Sequence, residues 1–300
     1  MNNKTILFVP GKHPKPREQE HLHMLRYSLA AGLRQVSATA ADRIEQQPDL
    51  MGVASWNFSY YGEYRDDSQD WPWIRLMLER GEPSEKEKAE ARHWHLRLAY
   101  LYISIADHLP KLIRFIPQPA LRQSVIETYR YFSNINNAAC RVREYVKAPL
   151  RKAWDEGKQV LLIGHSMGSV IAYDSLWELH HEEKRNDCVD LLTIGSPLGT
   201  HFIQHRLQCW HCDSGMRFPG NIHHWVNIAA IGDLVALDST VADDFSALAK
   251  KGSCTDIIDI NKNVYNYFRN EEGLNVHRSY GYLVNPEVCK TVAQWLESDT

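Results

Sequence analysis

The stretch QVLLIGHSMGSVIAYDSL, residues 159–176, constrains the fold more than any other part of the chain. Val160 to Ile163 form an aliphatic run of strand length, and from Met167 onward the residues read as a helix. Between the two, Ser166 stands midway between Gly164 and Gly168. A serine held on so sharp a strand-to-helix turn takes a strained backbone conformation, and side chains two residues to either side would have no room. Ser169 and Ala172 are also small, so the helix can lie close to the strand while its first N–H groups face the turn. Gly-x-Ser-x-Gly arises by chance in a chain of this length with odds of about one in twenty. The weight therefore rests on the strand before it and the helix after it.

The surrounding segments repeat this alternation. Residues 5–9, TILFV, are an apolar run ended by Pro10 and Gly11, as in a buried parallel strand. Leu22, Leu25, Leu29, Leu33 and Val36 recur at helical spacing, and 50–61, LMGVASWNFSYY, is expected to be a second strand. Further on, a polar helix is expected near 136–156, a strand at 159–164 and a helix from Met167 to about Leu179. Strands follow at 189–195, 224–232 and 255–260. A final helix is expected with Asn285 as N-cap, Pro286 at its first position, and Val288, Val292 and Leu296 along one face. Alternating strands and helices imply an α/β fold, a mostly parallel doubly wound sheet with helices on both faces. Ligands of such sheets bind at the carboxyl ends of the strands.

The segment from about 62 to 135 breaks the rhythm and reads as a helical insertion on a single domain spanning 1–300. Ser84 followed by Glu87 fits a capping box, with a helix running from there to about Pro110 that is apolar nearly all round between Leu98 and Ala106. Its aromatics, Trp71, Trp73, Trp94, Tyr100, Tyr102 and Phe115, could be core or could line an acyl pocket under a lid. Lys111 and Arg114 beside LPKLIRFIP leave membrane-surface contact open, unsupported by the overall charge.

A net charge of −3 with mixed signs gives no reason to expect nucleic acid as a partner. The amino terminus has too short an apolar run for a signal peptide, and no stretch reaches the ~18 apolar residues of a membrane helix. Six scattered cysteines without an export signal are expected to be reduced thiols in a cytoplasmic protein.

LLIGHSMGS resembles the nucleophile elbow of α/β-hydrolase-fold serine hydrolases, the superfamily of esterases and lipases. The resemblance covers about 1–61 and 136–300. It implies catalytic groups in the order serine, acid, histidine, each downstream group just past a strand. Asp233 in GDLV matches the acid position, with Leu234 where the family commonly has proline; Asp238 and the Asp243–Asp244 pair are rivals, and Asp233 could instead cap a turn. His277, in LNVHRSYGYLV, is the one histidine after Asp233 although the chain holds 15. The backbone N–H of Met167 and that of Lys12, in the VPGKHPKP turn after the first strand, are the implied oxyanion donors. Pro10 stands where the family's histidine would be, and Gly11 could simply make a tight turn.

Two other motifs compete. His201, His205, Cys209, His211 and Cys212 could hold zinc, or pack beside the site, and CWHC has the form of a redox pair. The reading that absorbs most of the residues is a serine hydrolase of a lipophilic small-molecule ester that uses no cofactor and no metal, acting through Ser166, His277 and Asp233. The same triad serves thioesterases, amidases and acyltransferases. From outside that class come a non-catalytic binding or scaffold protein on the same fold, and a metal-dependent hydrolase built on the 201–212 cluster. Oligomeric state is not legible.

Overall fold

The computed structural model describes residues 3–93, 127–250 and 256–298. Six parallel strands form one sheet: β1 (Lys4–Val9), β2 (Met51–Val53), β3 (Gln159–His165), β4 (Val189–Ile194), β5 (Ile222–Ile228) and β6 (Asp256–Ile260), in the spatial order β2-β1-β3-β4-β5-β6. The chain reverses direction across the sheet between β1 and β3, which places the end of β3 at the switch point where an α/β sheet opens a crevice.

Each central strand is apolar on both faces because each face is covered. Leu7, Val9, Val160 and Leu162 pack with the helices Ala138–Asp155 and Met167–His181 on one side. Ile6, Phe8, Leu161 and Ile163 pack with the helices Glu18–Arg34 and Pro286–Glu297 on the other. Burial on both faces explains why these strands read as unbroken aliphatic runs rather than alternating patterns.

Three differences from the sequence expectations have clear causes. β2 stops at Val53, and Asn57–Tyr61 is a helix rather than the end of a strand. Trp56 donates its indole N–H to the Pro10 carbonyl at 2.9 Å, and Asn57 donates to the carbonyls of Gly11 and His13, both at 2.8 Å. These polar groups serve a loop, not a ladder. β5 begins at Ile222 and leaves the sheet at Ile228, so the acid loop starts before residue 232. Finally, Cys209 and Cys212 form a disulfide and are not reduced thiols: Cys209 adopts a φ of +55°, the Cys212 N–H closes the turn onto the Cys209 carbonyl, and the Cα atoms come within 5.0 Å.

The Ser84 capping box is present and opens the helix Glu85–Ala91, but this helix does not run on as expected: it ends where the Arg92 N–H turns back onto the Ala89 and Glu90 carbonyls, and the rest of the stretch to Pro110 lies outside the described residues from 94 on. Before it, the helix Trp71–Arg80 sinks Ile74 and Met77 into the core beside the helix Glu18–Arg34. Trp71 and Trp73 pack partly against that core, and Trp71 meets the His23 and Tyr27 rings. Trp94, Tyr100, Tyr102, Phe115, Lys111 and Arg114 lie outside the described residues. Among the described residues no helix is long and apolar enough to cross a membrane.

Candidate active site

Ser166 ends the strand and starts the helix with φ +55° and ψ −130°, a conformation that costs of order 1–3 kcal/mol and persists only where neighbours over-determine it. Those neighbours are visible. The Ser166 N–H donates to the Ile194 carbonyl at 3.1 Å, and the Ser166 carbonyl accepts the Ser169 hydroxyl at 2.6 Å and the Ser169 N–H at 3.0 Å. A Cβ at Gly164 would stand 2.6 Å from the Ser169 Cα, and one at Gly168 would stand 2.1 Å from the Val9 carbonyl oxygen. Both glycines are therefore demanded by close approach of the helix to β3 and to the end of β1. Met167, the residue after the serine, supplies the first N–H of that helix, one of the amides an α-helix leaves unpaired within itself.

The loop after β1 lies directly on the serine. A Cβ at Gly11 would come within 2.8 Å of the Ser166 Cβ, so Gly11 is a contact point and not only a tight turn. The His13 N–H on this loop is donated to the Tyr61 hydroxyl at 3.1 Å. The Lys12 ammonium donates to the Thr128 hydroxyl at 3.0 Å, and its pKa is brought down to about 8 by burial against an opposing pull from Glu127. Trp56 and Asn57, which sequence reasoning assigned to a strand, hold this loop in place; the polar Asn57 amid aromatics was the available signal.

Asp233 and His277, far apart in sequence, are brought together. The Nδ1–H of His277 donates to Asp233 Oδ2 at 2.8 Å, the same oxygen accepts the Tyr282 hydroxyl at 2.6 Å, and Oδ1 accepts the Val235 N–H at 2.9 Å. Burial alone would raise this carboxyl. The charge of His277 and the three hydrogen bonds outweigh it and hold Asp233 below the usual carboxylate range. Gly195, at φ +55°, admits the acid to the tip of β4, because a Cβ there would meet Asp233 Oδ2 at 2.8 Å. The Val235 contact makes Asp233 a turn cap as well, so it is both cap and partner of the imidazole. Asp238 folds onto its own turn through Thr240, and Asp244 accepts from Gln204.

The backbone of His277 is held by a residue that the sequence reading passed over. His165, one residue before Ser166, donates its Nε2–H to the His277 carbonyl at 2.8 Å, and the two rings lie 4.8 Å apart. Burial, then the nearby charges of His277 and Lys15, keep His165 neutral well below its ordinary range. Among the described residues no hydrogen bond joins the Ser166 hydroxyl to the His277 ring. With Nδ1 committed to Asp233, the Nε2 of His277 is the nitrogen left for a proton acceptor's role.

The 201–212 cluster does not assemble as a zinc centre. The helix begun at His201 ends at Gln204, His201, His205 and His211 stack edge to ring at 5.8 and 5.2 Å, and the disulfide removes both thiolates as ligands.

The fold and these residues define an α/β-class protein with a strained serine, and a buried aspartate bonded to a half-buried histidine, at the carboxyl edge of its parallel sheet. Comparison of the chain with protein-family models, with curated proteins and with solved structures found no match.

Proposed function

We propose that the protein is a serine hydrolase of the α/β-hydrolase type that cleaves carboxylic esters, with a lipophilic small-molecule acyl substrate as the favoured class. The single observation that carries this reading is the Asp233–His277 pair, oriented through Nδ1 and tied through the His277 carbonyl to His165, the residue before a serine whose backbone is strained at a strand-to-helix turn. Such strain has a cost, and an elbow serving only as a turn has no need of it.

In this reading the Ser166 Oγ attacks the ester carbonyl while His277 Nε2 takes its proton. Asp233 holds the imidazole and balances its charge, and the N–H groups of Met167 and Lys12 bind the oxyanion. Collapse of the tetrahedral intermediate breaks the bond to the alcohol, which leaves with the proton from His277. Water, deprotonated by the same nitrogen, then releases the acid and restores Ser166. Substrate binding is expected to close the serine–histidine contact, as catalytic hydrogen bonds often tighten only in the complex.

The test is fluorophosphonate labelling of the wild type and of Ser166→Ala, with mapping of the modified peptide. Label confined to Ser166 and absent from the variant supports the proposal and justifies a panel of esters, thioesters and amides of graded chain length to separate esterase from thioesterase, amidase or acyltransferase. A folded wild type that neither takes the label nor turns over any of that panel would leave a non-catalytic binding protein as the better reading.

A further inference from the structure

The amino ends of the strands, at the opposite edge of the sheet from Ser166, carry a second constellation. Asp190 is the second residue of β4, His223 and His224 are the second and third of β5, and Asp256 opens β6. Consecutive strand residues ordinarily face opposite sides of a sheet. Here the β4–β5 register shifts at Val189/Asp190, and the His223 and His224 rings come to lie 4.0 Å apart. One donor atom from each of Asp190, His223 and His224 lies within 4.8 Å of the other two. The three line an open cleft of about 440 Å³, together with Trp295.

We propose that Asp190, His223 and His224 form a zinc-binding site. Two imidazoles and one carboxylate are a donor set that suits Zn²⁺, with solvent completing the tetrahedron. Metal–ligand distances of about 2.0–2.2 Å set neighbouring donors about 3.3 Å apart, so side-chain rotation has at most about 1.5 Å to close from the present 4.8 Å. Asp190 and His223 are already near that spacing, with Oδ1 and Nδ1 3.3 Å apart. His223 and His224 are exposed enough to rotate without disturbing the core.

The surroundings are those of a prepared site. The indole N–H of Trp295 donates to Asp190 Oδ2 at 2.8 Å, which turns Oδ1 toward the imidazoles. His224 Nδ1 bonds to Asp256 Oδ1, which places the proton on Nδ1 and leaves the other ring nitrogen to the metal. A carboxylate behind a ligating histidine and a donor behind a ligating carboxylate are the supports that orient metal ligands. Neither support bears on the serine chemistry, so this site stands or fails independently of it.

The test is calorimetric titration of Zn²⁺ into the full chain, carrying no histidine tag and stripped with chelator. One zinc per chain is expected. His223→Ala, His224→Ala and Asp190→Asn are each expected to weaken binding at least about tenfold, and Asp256→Asn about tenfold through the orientation of His224. His205→Ala, in the other histidine group, is expected to bind as the wild type does. Circular dichroism on each variant without zinc shows which have folded, and any one folded variant of Asp190, His223 or His224 suffices. Absence of saturable binding, binding unaltered in those folded variants, or loss of binding in His205→Ala overturns the proposal.

Discussion

Tyr282 joins the two loops on which the candidate site depends. Its hydroxyl donates to Asp233 Oδ2 at 2.6 Å and accepts the Ala230 N–H at 2.9 Å. Tyr282→Phe removes both bonds and leaves a buried N–H unpaired, at a cost of about 1–3 kcal/mol. A lowered melting temperature is expected, with ester turnover down about tenfold if the orientation of the acid loosens by about 1.4 kcal/mol. Asp233→Asn goes further: the amide cannot hold the Nδ1–H tautomer in the same way, and a loss of up to about 10⁴ in kcat is expected. Asp238→Asn is expected to stay within about twofold, since that side chain is exposed and satisfied by its own turn. Kinetics on the two variants decide which acid serves, and a larger loss in Asp238→Asn would displace Asp233 from the role.

Between strand and helix, the close contacts at the elbow make a different kind of prediction. Gly168→Ala drives a methyl to 2.1 Å from the Val9 carbonyl oxygen, and backbone on both sides must shift to accept it. Overpacking of this kind costs about 1–3 kcal/mol, so a lower denaturant midpoint is expected together with lost labelling of Ser166. Gly52 on β2 has open space where a Cβ would go, and Gly52→Ala is the matched control expected to keep both. Next to the elbow, a polar chain crosses the sheet. Trp225 donates to the Thr193 hydroxyl, Thr193 to Asn227 Oδ1, and Asn227 to Asp259, which also accepts the Val241 and Ala242 N–H groups. This network fastens the segment after the acid loop to β5 and β6, and its side chains, from Thr193, Trp225, Asn227 and Asp259, lie in runs that read as apolar strand.

For the molecule as a whole, the buried histidines predict acid lability, opposed in part by Asp174, whose carboxyl is pushed up to about 6 by burial. Burial, followed by the charges of Lys15 and Arg278, holds His21 far below its ordinary 6.5, and burial with His277 and Lys15 does the same to His165. The unfolded chain therefore binds more protons than the folded one as pH falls through about 6.5, and their contribution is lost from there downward. Asp233 adds to this at lower pH: its stabilisation is present above the ordinary 3.8 and is lost as pH falls through its lowered value. Thermal unfolding between pH 7 and 4 is expected to show a falling midpoint. His21→Leu is expected to flatten the upper part of that curve, because His21 Nδ1 is buried with no hydrogen-bond partner among the described residues. A midpoint that holds level or rises on acidification would contradict the assignment of these histidines as neutral.

Some of this was legible in the chain because it is local. The aliphatic runs of β1, β3 and β4, the Asn285 cap with Pro286 behind it, the Ser84 capping box and the glycines around Ser166 express constraints between residues a few positions apart. The parallel α/β sheet follows from their alternation, and the order serine, aspartate, histidine from a resemblance at one turn. Other features depend on residues far apart in sequence, whose approach no local pattern encodes. The end of β2 at Val53 depends on Trp56 and Asn57 finding carbonyls more than forty positions earlier. The partnership of Asp233 with His277 and Tyr282, the placement of His165 against the histidine loop and the gathering of Asp190, His223 and His224 at a shifted register likewise arise only when the sheet is assembled. Local chemistry in the sequence determined which turns and caps were possible; only the packed sheet, by closing long loops around a shared edge, decided which polar groups meet.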